Sequence, residues 1–186
     1  MKAFPSVLIQ VRVSQFLPGQ VGICATRSLR RGTVIRWGGD CGEKFYSLRT
    51  YNRLDRVTKV TIAKFAGVLE DGFWCVPNPN NMPMSWIINH SCDPNCGYTD
   101  GNLTLIKNVR SGEELTSDYG FYMTNPKWRL KCECGADGCR KVVTGNDWKN
   151  AGYYERNRDS FAPRVHRMKR ELSTLRAGGS RKRARQ

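Results

Sequence analysis

No stretch of the 186 residues stays apolar long enough to span a bilayer. The opening residues 1–19 carry one lysine and a short apolar run broken by Gln10 and Arg12, which is too weak for the core of a secretory signal. Together these absences predict an intracellular protein with no membrane partner. No segment repeats. The glycines of "GGDCG" at 38–42 have the wrong spacing for the dinucleotide fingerprint, and strands do not alternate with long helices, which argues against a doubly wound nucleotide-binding enzyme. Acidic residues are scarce, with 16 Asp and Glu against 31 Lys and Arg, for a net charge of +15. The excess is polarised: residues 153–186 hold eleven Lys or Arg and three Asp or Glu. A balance of this kind implies an anionic partner, such as nucleic acid or an acidic protein face, without specifying an activity.

What is present fits one domain with a tail, since a chain of this length buries a substantial core but leaves no room for a second large domain. The segments "VLIQVRVS", "GICATRSL", "GTVIRWGG", "VTKVTIAKF", "GFWCVP" and "NLTLIKNV" are short, rich in Val, Ile and Thr, and broken at Gly, Pro or Asn, so they predict strands. "EDG" at 70–72 reads as a hairpin turn. "SLRTYNRLDRV" has a helical period. "RVHRMKRELSTLR" behind Pro163 repeats Val165, Met168, Leu172 and Leu175 at helical spacing, and Gly178-Gly179-Ser180 should end that helix before a disordered basic end, "RKRARQ". The expected fold class is mainly β with few helices.

Eight cysteines in a reducing compartment predict thiols or metal ligands rather than disulfides, and three of them, Cys132, Cys134 and Cys139, crowd into "CECGADGC". Structural zinc takes four ligands, so a fourth must come from elsewhere. Cys24, Cys41 and Cys75 read as small buried hydrophobes. "SWIINHSCDPNC" at 85–96 sets an amide, an imidazole and two thiols beside a proline turn. Taken alone, it is an apolar strand or helical turn followed by an ordinary Asn/Asp/Ser/Pro turn.

Three pieces in order, "NHSCDPN" at 89–95, "GEELTSDYG" at 112–120 and the C-x-C-x4-C run, resemble the SET-domain protein-lysine methyltransferases followed by a post-SET zinc segment. The resemblance covers about residues 7–143, and "GNDW" and "FAPRVHR" beyond it are similar to small stand-alone members without a pre-SET segment. The first block departs from the family, with Gln20 in place of a glycine, Gly22 retained, and Arg36-Trp37-Gly38-Gly39-Asp40 closing it. The resemblance implies a SET fold of small β-sheets around a C-terminal pseudoknot, with a SET domain over 5–122, a zinc-bound post-SET segment over 128–144, a C-terminal extension with an amphipathic helix over 145–177 and a basic disordered tail over 178–186.

It also implies roles. S-adenosyl-L-methionine would be the methyl donor, held by Asn89, His90, main-chain groups at Gly22 and Ile23, and Tyr119, which doubles as the catalytic residue. One zinc ion would be held by Cys92, Cys132, Cys134 and Cys139, with Cys96 as a rival for the fourth place because it lies one short turn away. Trp37, Trp74, Phe121 and Tyr122 are candidate walls of an apolar lysine channel, where desolvation favours the neutral amine. Ser117 stands where the family carries Phe or Tyr; this position influences how many methyl groups fit, and serine leaves a void for an added methyl group or for a ring such as Trp37 or Phe121. The partner would be a protein with a target lysine, of the class of a histone or another basic protein associated with nucleic acid. The basic C-terminus would contact nucleic acid or chromatin, and the chain would be a monomer, nuclear in a eukaryote and cytoplasmic in a bacterium. The alternative is a zinc-stapled scaffold of the same fold that binds nucleic acid without catalysis.

Overall fold

A computed structural model describes residues 7–36 and 42–183. Trp37, Cys41, the other residues of 37–41 and the last three residues of the tail lie outside it, as do the side chains after Thr174. The expectation of mostly β structure with few helices holds. A seven-stranded sheet runs in the order β1 (Ile9–Val13), β2 (Val21–Ala25), β9 (Glu114–Ser117), β7 (Cys96–Thr99), β8 (Asn102–Leu105) and β3 (Val34–Arg36), and β6 (Asn89–His90) also pairs with β9. Strand β9 is the organising element. It is antiparallel to β2, with Ile23 opposite Leu115, and parallel to both β6 and β7, with His90 and Cys96 each opposite Ser117. The loop between β6 and β7 is therefore gathered against the end of β9. All four residues of β9 are buried, and Leu115 packs with Ile23, Ala25, Leu103 and Leu105 in the main core.

A second sheet pairs β4 (Lys44–Ser47) with β5 (Gly72–Cys75), and α1 (Leu48–Arg53) and α2 (Arg56–Phe65) are inserted between these strands. Here two expectations are corrected. "VTKVTIAKF" is the body of α2 rather than a strand. The Asp55 side chain caps it, accepting from the Thr58 N–H at 3.0 Å and the Thr58 hydroxyl at 2.6 Å. A good cap outweighs the β preference of Val57 and Val60, which is in any case a preference for half-buried packing that these residues, 75% and 60% exposed, do not experience. "EDG" consequently leads from a helix into β5; its turn closes through the Leu69 N–H to the Gly72 carbonyl at 2.7 Å, and the arms of the hairpin are β4 and β5.

The C-terminal third adds a two-stranded sheet, β10 (Arg129–Lys131) with β11 (Val142–Thr144), then α3 (Ala151–Arg156) and α4 (Pro163–Arg183). Val165 is fully buried with Phe121, Trp148, Tyr154 and Phe161, and Met168 and Leu172 pack on that cluster, as the helical spacing predicted. Burying each large ring is worth about 1.5–3 kcal/mol, enough to fasten the extension to the sheet. The helix does not stop at Gly178. It continues through both glycines to Arg183, because a glycine inside a helix costs only about 1 kcal/mol relative to alanine and is no obligatory terminator.

Candidate active site and thiol cluster

The polypeptide leaves β9 at Ser117 and turns at once into a 3-10 helix, Tyr119–Phe121, capped by the Asp118 carboxylate on the Gly120 N–H at 2.9 Å. Successive side chains of such a helix point about 120° apart. Tyr119 and Tyr122, three residues apart, thus share one direction and line a cavity of about 430 Å³. Phe121 points the other way. It is 0% exposed in the aromatic cluster under α4, so the expectation that it walls a channel is corrected, whereas Tyr122 and Trp74, also expected there, line the cavity. Tyr98, Trp74, Trp86 and Ser117 complete the aromatic-rich lining, and Arg164 and Arg167 of α4 border it. The Trp86 indole is fixed by donating to Glu43 at 2.7 Å.

Tyr119 is held from three sides. Its hydroxyl donates to the Ile88 carbonyl at 3.0 Å, its N–H donates to His90 Nδ1 at 3.1 Å, and its ring meets those of His90, Tyr122 and Trp128 at 5.3, 5.7 and 6.3 Å. Because the phenol proton is taken by Ile88, the oxygen lone pairs remain to accept from something in the cavity. Burial, with a smaller contribution from Tyr98, pushes the phenol up to about 12, so it is neutral at any physiological pH. Ser117 is 4% exposed, and its hydroxyl has no hydrogen-bond partner among the described residues although it lines the same cavity.

His90 is neutral too. Burial lowers it to about 4; Asp118 opposes that shift and Arg140 reinforces it. With Nδ1 accepting from Tyr119, the proton sits on Nε2, which lies 3.4 Å from the Cys92 sulfur. Both ring nitrogens are therefore engaged within the protein, and what His90 offers a ligand is its main chain or ring face. Asn89, half-buried, donates to the Val21 carbonyl at 3.0 Å and to Glu114 at 2.8 Å, and among the described residues nothing donates to its amide oxygen. Glu114 is a member that sequence reasoning missed. It is 1% exposed and also accepts from the Ser14 hydroxyl at 3.0 Å and the Gln15 N–H at 2.6 Å. Its carboxylate lies so near Gly22 that a Cβ there would come within 2.3 Å of Oε1, a reason for glycine that does not depend on backbone angles. Gly22 pairs with Arg12 of β1, and the face of the strand at Gly22 lies against Asn89 and Glu114. The Ile23 side chain is wholly buried core, and its main chain lies in register between Val11 of β1 and Leu115 of β9.

On the other side of Cys92 the sulfurs of Cys92, Cys132, Cys134 and Cys139 all lie within 4.8 Å of one another, and Cys92 and Cys132 are 3.8 Å apart. A tetrahedron of thiolates at about 2.3 Å from a central zinc has edges of about 3.8 Å, so the spacing suits that ion and excludes a disulfide, which needs about 2.05 Å. Cys96 is not part of the group. It is 0% exposed in the main core, facing Asn95, and burial pushes its thiol up to about 12. Burial raises Cys92 and Cys132 and opposes ionisation of Cys134, which the main-chain N–H groups of Cys92 and Ala136 nevertheless bring down to about 6. Cys24 and Cys75 are buried apart from it, as expected.

Residues 20–120 match the SET domain family. That is more than half of the chain, and the protein belongs to this family. Histone-lysine N-methyltransferase ash1 of Drosophila melanogaster is 38% identical over 66 residues, 31% of this chain and 3% of that protein. Human histone-lysine N-methyltransferase 2B is 39% identical over 64 residues, 30% and 2% of the two chains. Histone-lysine N-methyltransferase Su(var)3-9 of Drosophila melanogaster is 31% identical over 94 residues, 40% and 15%. The chain thus spans a small part of these relatives. Among the described residues no helix is long and apolar enough to cross a membrane.

Proposed function

We propose that this protein transfers methyl groups from S-adenosyl-L-methionine to lysine side chains of another protein. The observation that carries this reading is the buried, neutral Tyr119 hydroxyl, with its proton tied to Ile88 and its lone pairs free, lining an aromatic cavity. A lysine free in water, with a pKa of about 10.4, is almost wholly protonated at pH 7, and its amine attacks only when neutral. An apolar cavity favours the neutral form by desolvation, and the Tyr119 oxygen accepts from the amine and fixes its line of approach. S-adenosylmethionine, when bound, supplies a methyl carbon on a cationic sulfur. Asn89, His90 and the main chain at Gly22 and Ile23 are the residues that would hold it, and the amide oxygen of Asn89 suits a ligand donor. Zinc on Cys92, Cys132, Cys134 and Cys139 would be structural, since four protein thiolates fill a tetrahedral ion and leave no open position. The names of the relatives favour a histone as substrate class, and the basic C-terminal segment, its contact with nucleic acid and a nuclear or chromatin location belong to the same reading.

Incubating the zinc-replete protein with methyl-labelled cofactor and a host-cell extract tests it. Label on lysine of at least one protein band, located by mass spectrometry, is the expected result. No cofactor binding under reducing conditions would overturn the enzyme and leave the non-catalytic scaffold.

Ser117 adds a prediction about product. Its hydroxyl is unpartnered, the residue lines the cavity that Tyr119 lines, and a small side chain at a position where the family carries a ring leaves space for a di- or trimethylated amine. Under excess cofactor the wild type should proceed beyond monomethyllysine, and Ser117→Tyr should shift product toward it. Strictly monomethylated product from the wild type, read by mass spectrometry, would contradict this.

A further inference from the structure

Arg140 follows the thiol-bearing Cys139 directly, yet its side chain leaves the thiol cluster. Its main-chain N–H donates to the Cys92 sulfur at 3.4 Å, while its guanidinium donates to Asp118 at 2.5 Å, lies 3.3 Å from Asp147 and stacks 4.6 Å over the ring of Tyr153. Asp118 is 2% exposed and is the residue before Tyr119. It caps the turn that aims Tyr119, holding the Gly120 N–H, and also accepts from the Tyr153 hydroxyl at 2.8 Å. A Cβ at Gly120 would lie 2.6 Å from that hydroxyl, so the three groups are packed without slack.

We infer that Arg140 is a positioning residue that transmits the order of the thiol-bound segment to Tyr119. One residue touches the cluster with its main chain and the cap of the catalytic turn with its side chain; its guanidinium donates to Asp118, which also has His90 Nδ1 at 3.7 Å. A buried carboxylate that loses its cation takes up a proton or draws in water, and either change alters the cap on Gly120. Lysine cannot replace arginine here, because an ammonium cannot lie on the Tyr153 ring and reach two carboxylates in a fork at once. The kinetic consequence rests on the methyltransferase reading; the structural coupling does not.

The test uses the whole chain as wild type, Arg140→Gln, Arg140→Lys and Tyr153→Phe, each zinc-loaded and after chelation. Amide hydrogen exchange at Gly120 is read by NMR, with the Thr116 amide of β9, bonded to Asn95 at 2.9 Å, as reference. Arg140→Gln should lose protection at Gly120 at least tenfold with the zinc content unchanged and Thr116 unaffected, and Arg140→Lys should fall between it and wild type. Chelation should lower Gly120 protection in the wild type and add less in Arg140→Gln, since the two changes share the Arg140 contact with Asp118. Methyl transfer by Arg140→Gln should show kcat reduced at least tenfold with KM for the cofactor within twofold. Should Arg140→Gln fail to fold, Tyr153→Phe, which removes another Asp118 partner without touching the thiol loop, should still cost Gly120 at least threefold. Unchanged Gly120 protection in folded Arg140→Gln, or a loss that only parallels zinc loss or Thr116, would overturn the inference. If the exchange pattern appears and no variant transfers methyl groups, the coupling stands and the enzymatic reading fails.

Discussion

Chelating the metal is expected to disorder residues 131–143 and end methyl transfer while the seven-stranded sheet survives. The apolar support of the thiol segment is small: Val143 and the two cysteines Cys132 and Cys134 are its buried members, with Trp128, Leu130 and Ala136 partly covered. Strands β10 and β11 are three residues each, and a two-stranded ribbon is marginal in water at best. Zinc bound by four cysteines contributes roughly 10–16 kcal/mol of apparent free energy in small peptides, far more than these contacts supply. The main core around Leu115 shares no buried residue with the segment, so it should persist. Activity should go nonetheless, since Trp128 touches both the cluster and the Tyr119 ring, and Cys92 sits in the loop between β6 and β7. Metal analysis should find one zinc per chain, lost or greatly weakened in Cys92→Ser. Full stoichiometry and activity in Cys92→Ser would show that the fourth ligand lies elsewhere.

Part of this arrangement is legible in the sequence. The C-x-C-x4-C spacing is dense enough to suggest a metal, but Cys92 entered as the fourth thiol only through the resemblance, with Cys96 as its rival, and it is the pairing of β6 and β7 with β9 that brings the Cys92 loop to the cluster. What was illegible depended on direction rather than on residue type. Phe121 and Tyr122 were both expected in the channel as aromatic walls, but the switch from strand to 3-10 helix at Asp118 turns Phe121 into the core and leaves Tyr122 on the cavity side. Residues 57–65 have strand composition and helical hydrogen bonding, decided by one cap at Asp55. Glu114 sits inside "GEELTSDYG" and Arg140 directly after "CECGADGC", yet their partners are distant in sequence: Ser14 and Gln15 for one, Asp118 and Tyr153 for the other. Single-sequence patterns report local periodicity, and a buried charge announces its partners only once the chain is folded.

Tyr119→Phe is expected to lower kcat about a hundredfold or more with cofactor binding within twofold of wild type. Removing one preorganised polar group at a reaction centre commonly costs 10²–10³ in rate, and here the lost oxygen is the one whose lone pairs face the cavity. The fold should tolerate the change, since the ring contacts with His90, Tyr122 and Trp128 remain and only the bond to the Ile88 carbonyl is lost. The pH dependence separates this role from that of a base. Burial raises the phenol to about 12, above the usual 10, so Tyr119 keeps its proton up to that range and gains no charge to act with at neutral pH. For a raised acid of this kind the folded state is favoured fully below pH 10, and the advantage is lost only as pH climbs through about 12. Below that, the rising quantity is the neutral fraction of the substrate amine, tenfold per pH unit until its pKa of about 10.4 is approached. The logarithm of kcat/KM should therefore rise with a slope near one from about pH 7 to 9.5, with no descending limb from Tyr119, and Tyr119→Phe should show the same slope displaced downward. A flat profile in Tyr119→Phe beside a rising one in wild type would mean that the tyrosine is the titrating base after all.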